Sequence, residues 1–76
     1  MQGEKGDKMT NFAENLKKLR KNKGVHQKEI SKQLGISVSG YSLYETGQRE
    51  PDIEKLIKLA DYFNITIDEL LKGVRK

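Results

Sequence analysis

The residues with the clearest chemical potential in this sequence are small hydroxyl side chains on the second of two short helical patterns. The first pattern runs from Gln27 to Leu34 and the second from Val38 to Thr46, with Gly35 between them. Because glycine adopts the left-handed conformation of a sharp turn without steric cost, the two helices can cross closely. At about 100° per residue, an arc of about 140° on the second helix collects one group of side chains. This outward arc consists of Val38, Ser39, Ser42, Leu43 and Thr46.

The outward arc has the chemistry to contact a nucleic acid. Its hydroxyl groups can form hydrogen bonds to phosphates or to base edges, and its small side chains would let the helix enter a major groove about 12 Å wide. A helix face that is simply solvated has a similar composition, so the arc alone leaves both interpretations open. Tyr41, Tyr44 and Glu45 fall on the opposite arc, towards the body of the domain. We expect the tyrosines to be core aromatics whose hydroxyl groups lie near water.

Composition narrows the classes of function. The chain has 76 residues, with 15 Lys and Arg against 11 Asp and Glu, and its net charge of +4 permits a polyanion partner without requiring one. There is no cysteine, and the single histidine, His26, has no metal-ligand spacing around it. No glycine-rich phosphate loop is present, so we expect no enzyme activity, metal, cofactor or small-molecule ligand. Apolar runs are too short to span a membrane.

The pattern of caps and apolar residues predicts an all-α bundle of five helices. We expect residues 1–9 to be a disordered tail or a cloning remnant, and residues 10–76 to form one domain with the helix pair at about 27–46. Helix 1 is predicted from about Asn11 to Asn22, with Asn11 as its cap and Glu14 completing a capping box. Later caps are expected at Ser37, Asp52 and Thr66, and helix ends at Gly47 and Asn64. The predicted apolar face of helix 4 is Ile53, Leu56, Ile57, Ala60 and Phe63, and helix 5 buries Ile67, Leu70 and Leu71.

From about Leu16 to Leu71 the sequence resembles the Cro and phage-repressor family of helix-turn-helix DNA-binding domains. The resemblance rests on five features: a glutamine opening helix 2, the turn glycine, Y-E-T-G ending helix 3, the R-E-P loop, and the closing I-D-E-L-L. It implies a five-helix, lambda-repressor-like fold that binds duplex DNA and regulates transcription as a repressor. It also implies a homodimer, and a cytoplasmic, nucleoid-associated protein of a prokaryote or phage.

The resemblance also implies roles for individual residues. Gln27 would bind a phosphate through its side chain and backbone amide, aided by the helix dipole. Thr46 and Gln48 would contact the DNA backbone again, and Arg20 and Glu45 would form an ion pair between helices 1 and 3. The residues implied to meet the major groove are Ser37, Val38, Ser39, Ser42 and Leu43.

Four positions depart from the family pattern. Ser31 replaces the usual alanine at the helix crossing, and Gly40 within helix 3 costs about 1 kcal/mol relative to alanine. Val38 and Leu43 stand where arginine, glutamine or lysine often reads bases; they can pack on a thymine methyl group but do not read guanine. The alternative is a protein-interaction module, such as an antitoxin or an anti-repressor partner, that uses the same face with Val38 and Leu43 as apolar anchors.

Two surfaces outside the helix pair have open interpretations. The small core leaves Leu71 or Val74 as a candidate for a symmetric dimer contact. Four lysines on helix 1 form either a solubility face or a set of which one or two contact phosphate: Lys17, Lys18, Lys21 and Lys23. The ring of His26 is either solvated, in contact with a phosphate, or a pH sensor.

Overall fold

The structure, a computed structural model, describes the backbone of residues 8–73 and the side chains of residues 12–73. All regular structure in this range is helical, as the sequence predicts. The helices are α1 (Lys8–Lys23), α2 (Gln27–Leu34), α3 (Val38–Thr46), α4 (Ile53–Phe63) and α5 (Ile67–Lys72).

The first helix begins earlier than expected. The backbone is already helical at Lys8, so Asn11 lies inside α1 and is not its cap, and the capping box with Glu14 is wrong. An N-cap residue needs a non-helical backbone, which Asn11 does not have. Residues 8 and 9 therefore belong to the helix, whereas the rest of the predicted tail, residues 1–7, lies outside the described range.

The other helix boundaries agree with the local cap signals. The side chain of Ser37 accepts a hydrogen bond from the Gly40 amide at 3.0 Å, and that of Asp52 accepts one from the Lys55 amide at 2.9 Å. Thr66 and Glu69 form the expected capping box, with reciprocal distances of 3.0 and 3.1 Å. These bonds satisfy amide groups that the first turn of a helix leaves without partners.

The crossing of α2 and α3 depends on one glycine and one small buried side chain. Gly35 ends α2 with φ of 72°, in the left-handed region where a Cβ is unfavourable. Ser31 is 3% exposed, and its hydroxyl donates to the Lys28 carbonyl at 2.9 Å. The serine at this position therefore leaves no unsatisfied hydroxyl group at the crossing.

The core lies where α1 packs against α3 and α5, with α2 and α4 closing the remaining sides. Asn15 joins the two ends of the domain, because its Nδ2 donates to the carbonyls of Glu69 and Leu70 at 3.1 and 2.7 Å. The hydrophobic cluster consists of Phe12, Leu16, Ile30, Leu34, Tyr41, Tyr44, Leu56, Leu59, Ala60 and Leu70.

The apolar face of α4 is wider than the core that it covers. Ile53 and Ile57, on the apolar face expected from the sequence, are 68% and 46% exposed, while Leu56 and Ala60 of the same face are buried. Helical periodicity identifies an apolar face, but the neighbouring helices determine how much of that face is covered.

Candidate nucleic-acid interface

The outward face of α3 is open along most of its length. Ser37, Val38, Ser39, Thr46 and Gln48 are exposed. Ser42 and Leu43, which the helical wheel also placed outward, are only half-buried and lie at the margin of this face. Five of these seven predicted interface residues lie on α3 itself, and Ser37 and Gln48 lie just before and just after it. From here on, the exposed and half-buried residues Ser37, Val38, Ser39, Ser42, Leu43, Thr46 and Gln48 are called the α3 face.

Several polar groups of the α3 face already have partners within the chain. The Thr46 hydroxyl donates to the Leu43 carbonyl at 3.2 Å and accepts from Gln48 Nε2 at 3.0 Å. Ser37 accepts the Gly40 amide, so its own hydroxyl proton remains available for donation to another group. Ser39 presents a further exposed hydroxyl on this face.

The opposite side of α3 is held by a buried carboxylate. Glu45 accepts hydrogen bonds from Arg20 at both of its oxygens, with Nε–Oε2 at 2.7 Å and Nη2–Oε1 at 3.2 Å. The Tyr41 hydroxyl donates to the same carboxylate at 2.5 Å. Arg20 Nη1 also donates to the Val25 carbonyl at 3.1 Å, which ties the end of α1 to the α1–α2 loop. The ion pair predicted from the sequence is therefore present, and it links three segments of the domain.

Gln27 takes part in this network through its side chain. Its Nε2 donates to Glu45 Oε1 at 3.1 Å, and this orientation of the amide is the only one that a carboxylate can accept. One N–H of the side chain is thus occupied, and the second N–H and the backbone amide remain at the N-terminus of α2. Gln27 is half-buried, so a phosphate would have to approach it from the helix end.

The network shifts the ionisation of its members towards the charged pair. Burial alone would raise the pKa of Glu45, but hydrogen bonds from Arg20, Tyr41 and Gln27 outweigh it and lower that pKa. The hydrogen bond to Glu45 raises the pKa of Arg20 despite partial burial. Burial and the adjacent carboxylate both raise the pKa of Tyr41, so the phenol stays protonated as a donor. With side-chain exposures of 14% for Arg20 and 3% for Glu45, the pair is well shielded from water.

Sequence reasoning missed two members of this network. It expected the Tyr41 hydroxyl near water, whereas Tyr41 is fully buried and donates to Glu45. The helical wheel already placed Tyr41 and Glu45 on one arc, four residues apart, and that spacing was the signal for the hydrogen bond between them. The bond from Gln27 to Glu45 spans two helices and has no comparable local signal.

The positive charges that could accompany α3 come from other segments of the chain. The helix itself carries no lysine or arginine, and its single acidic residue, Glu45, is buried. Arg49 is exposed in the loop that follows α3, and Lys28 is exposed in the first turn of α2. Lys17, Lys18 and Lys21 line a shallow cleft on α1 together with Glu14. Lys23, by contrast, lies 5.0 Å from the centre of the Tyr62 ring and contacts the domain.

Of the two residues proposed for a dimer contact, the structure describes only one. Leu71 is half-buried against the core cluster, and Val74 lies outside the described residues. Among the described residues, no helix is long and apolar enough to cross a membrane. The same residues contain no group of three or more potential ligands placed to hold a metal ion.

Comparison with known proteins identifies the family. The family model described as helix-turn-helix matches residues 16–70, the segment that holds α2, α3 and the ion pair. The chain belongs to this helix-turn-helix family. The resemblance to Cro and phage repressors is thereby confirmed, and so is the lambda-repressor-like fold class.

Several members of the family are similar over most of this chain. The uncharacterized transcriptional regulator YqaE of Bacillus subtilis is 45% identical over 62 residues, which is 82% of this chain and 53% of YqaE. The cryptic phage CTXphi transcriptional repressor RstR of Vibrio cholerae is 40% identical over 57 residues, covering 75% of this chain and 51% of RstR. A transcriptional regulator from Listeria innocua has a crystal structure with a TM-score of 0.78 and 43% identity, covering 86% of this chain and 61% of that one. The chain thus spans about half the length of these curated relatives.

Proposed function

We propose that this helix-turn-helix chain binds duplex DNA through the α3 face and represses transcription. The observation that carries the proposal is the asymmetry of α3. Its inner side is fixed by the Glu45 network to α1 and to the start of α2, and its outer side is open. A helix held this rigidly can present its side chains in one orientation, which base recognition requires. The names of RstR and YqaE support the same activity.

The proposal gives the residues two kinds of role. Val38, Ser39 and Leu43 contact base edges, with Ser37 and Ser42 beside them in the major groove. Phosphate contacts come from Gln27, whose second side-chain N–H and backbone amide lie at the positive end of α2, and from Thr46 and Gln48. The bond to Thr46 orients the amide of Gln48, whose second N–H remains to donate to a phosphate, whereas the Thr46 hydroxyl must release the Leu43 carbonyl before it donates to one.

The α3 face could instead bind another protein, with Val38 and Leu43 as anchors. Leu43 is half-buried, which leaves Val38 as the only large exposed apolar side chain of this helix within the described residues. One exposed valine is a small anchor for a protein interface, where buried aromatic residues and arginine usually supply most of the binding energy. The relatives' names do not favour this alternative either.

A homodimer fits the proposed function, because one reading helix gives a small interface and two half-sites multiply the affinity. Leu71 and Val74 remain the candidates predicted from the sequence. We place such a dimer in the cytoplasm, on the DNA of a prokaryote or a phage.

A charge substitution tests the proposed function. Ser39→Glu places a carboxylate on the exposed α3 face, where DNA phosphates would repel it. We expect affinity for duplex DNA to fall at least tenfold, about 1.4 kcal/mol. Gln33→Glu is the matched control, because it changes the net charge equally at an exposed position near α4. Gel-shift titrations of both variants, with thermal melts to confirm folding, measure the difference. Equal affinities for the two variants would remove α3 from the interface.

A further inference from the structure

One apolar side chain is exposed on the α3 face. Val38 is 42% exposed, and it shares that property with only Ile53 and Ile57 among the large hydrophobic residues that the structure describes. The two isoleucines lie on α4, whereas Val38 is the first residue of α3. Exposing an aliphatic side chain to water costs free energy, and this cost would be recovered if a ligand covered it.

Val38 is surrounded by small polar residues, so its side chain is the main apolar group at the start of α3. Ser37 and Ser39 flank it in sequence, and Ser42 lies one turn further along the helix. All three are serines, whose side chains are smaller than that of valine and end in a hydroxyl group. A valine in a helix strongly prefers one side-chain rotamer, so its two methyl groups have a fixed direction.

The polar groups that read guanine are missing from α3. The helix sequence is V-S-G-Y-S-L-Y-E-T, which contains no arginine, lysine, asparagine or glutamine. Guanine is read mainly by arginine or lysine at its O6 and N7 atoms, and adenine by asparagine or glutamine. The remaining distinctive group in the major groove is the 5-methyl group of thymine, which is apolar and projects from the groove floor.

We propose that Val38 recognises a thymine through its 5-methyl group, so that the preferred half-site carries a thymine opposite the first residue of α3. This inference rests on the DNA-binding function proposed above. It specifies the chemistry of the recognised base: a pyrimidine with a methyl group at carbon 5. The serines around Val38 supply less selective hydrogen bonds, and the valine supplies the discrimination.

The expected size of the effect follows from the area involved. Covering one methyl group contributes about 0.8 kcal/mol, which corresponds to about fourfold in affinity. A uracil in place of the thymine removes the methyl group and leaves the hydrogen-bonding edge unchanged. A 5-methylcytosine compared with cytosine at the same position adds the methyl group and again leaves the edge unchanged.

The experiment begins with duplexes enriched by the protein from a random pool. Each thymine of the enriched site is replaced singly by uracil, and affinities are measured for the wild-type chain, Val38→Ala and Ile53→Ala. The alanine variant at Val38 removes the apolar contact and keeps helix propensity. Ile53→Ala is the matched control, since it truncates an exposed aliphatic side chain on another helix. Thermal melts confirm that both variants are folded.

We expect one thymine at which uracil weakens wild-type binding about fourfold. Val38→Ala should bind the thymine and uracil duplexes equally, and Ile53→Ala should keep the wild-type ratio. At that position, 5-methylcytosine should bind the wild-type chain more tightly than cytosine does. Wild-type affinities that stay within twofold for every uracil substitution would overturn the inference, as would an undiminished uracil effect in Val38→Ala. Failure to enrich any duplex would overturn the proposed DNA-binding function itself.

Discussion

Removing either partner of the Arg20–Glu45 pair should destabilise the domain by a large share of its folding free energy. Arg20→Met leaves a carboxylate that is 3% exposed and keeps only the donors from Tyr41 and Gln27. Glu45→Gln removes the charge that balances Arg20 and turns an amide N–H₂ towards groups that are themselves donors.

The structure sets the expected magnitude between two limits. An exposed ion pair contributes about 0–1 kcal/mol, and breaking a fully buried pair costs about 3–5 kcal/mol. Arg20 is 14% exposed and can turn its guanidinium group towards water, so Glu45→Gln should cost about 2 kcal/mol. The carboxylate of Glu45 is too deeply buried to turn towards water, so Arg20→Met should cost about 3 kcal/mol. The double variant contains neither charge and should lose at least about 1 kcal/mol less than the sum of the two single losses.

Urea unfolding, followed by circular dichroism, measures the free energy of unfolding of the wild type, the two single variants and the double variant. Domains of this length are stable by only about 4–11 kcal/mol, so the measurement should be made at low temperature to keep each variant folded at the start. Lys17→Met serves as a control, because it removes an exposed positive charge from the same helix. Losses that add strictly in the double variant would mean that the two groups do not stabilise each other, and would refute the proposed rigidity of α3.

Two further predictions concern the same domain. Because the pKa of Glu45 is lowered in the folded state, the contribution of this carboxylate to stability is present above its usual pKa near 4.5 and is lost as the pH falls through the lowered pKa. The free energy of unfolding of Glu45→Gln should therefore fall less steeply in acid than that of the wild type. Parallel curves of unfolding free energy against pH would contradict this role. Leu71→Lys should lower the melting temperature, because Leu71 packs against the core; a folded variant of wild-type stability that has lost self-association in light scattering would instead show that Leu71 serves only the dimer.

The sequence predicted the later helices well because their boundaries depend on local bonds. Ser37, Asp52 and Thr66 cap their own helices, and the side chains involved lie three residues from their partners. The start of α1 was missed because no glycine or proline separates Asn11 from Lys8, and a possible cap does not end a helix that can continue.

Tertiary contacts explain the remaining differences. The exposure of Ile53 and Ile57 depends on where the other helices pack, and the spacing of apolar residues along α4 carries no information about that packing. The contact between Gln27 and Glu45 joins residues 18 positions apart on two helices that cross after the turn at Gly35. The ion pair was predicted from the family resemblance, since the composition of helices 1 and 3 did not require it.

The salt dependence of duplex binding tests the central claim most directly. If the α3 face binds DNA, the exposed side chains of Lys28 and Arg49, next in sequence to Gln27 and Gln48, approach phosphates and release counterions. The affinity of the wild-type chain for a selected duplex should therefore fall as the salt concentration rises. Ser39→Glu should bind at least tenfold more weakly at low salt, with a difference that narrows as salt screens the added carboxylate, and Gln33→Glu should follow the wild type. Weak binding that does not depend on salt, or equal curves for all three chains, would contradict the account and direct attention to a protein partner.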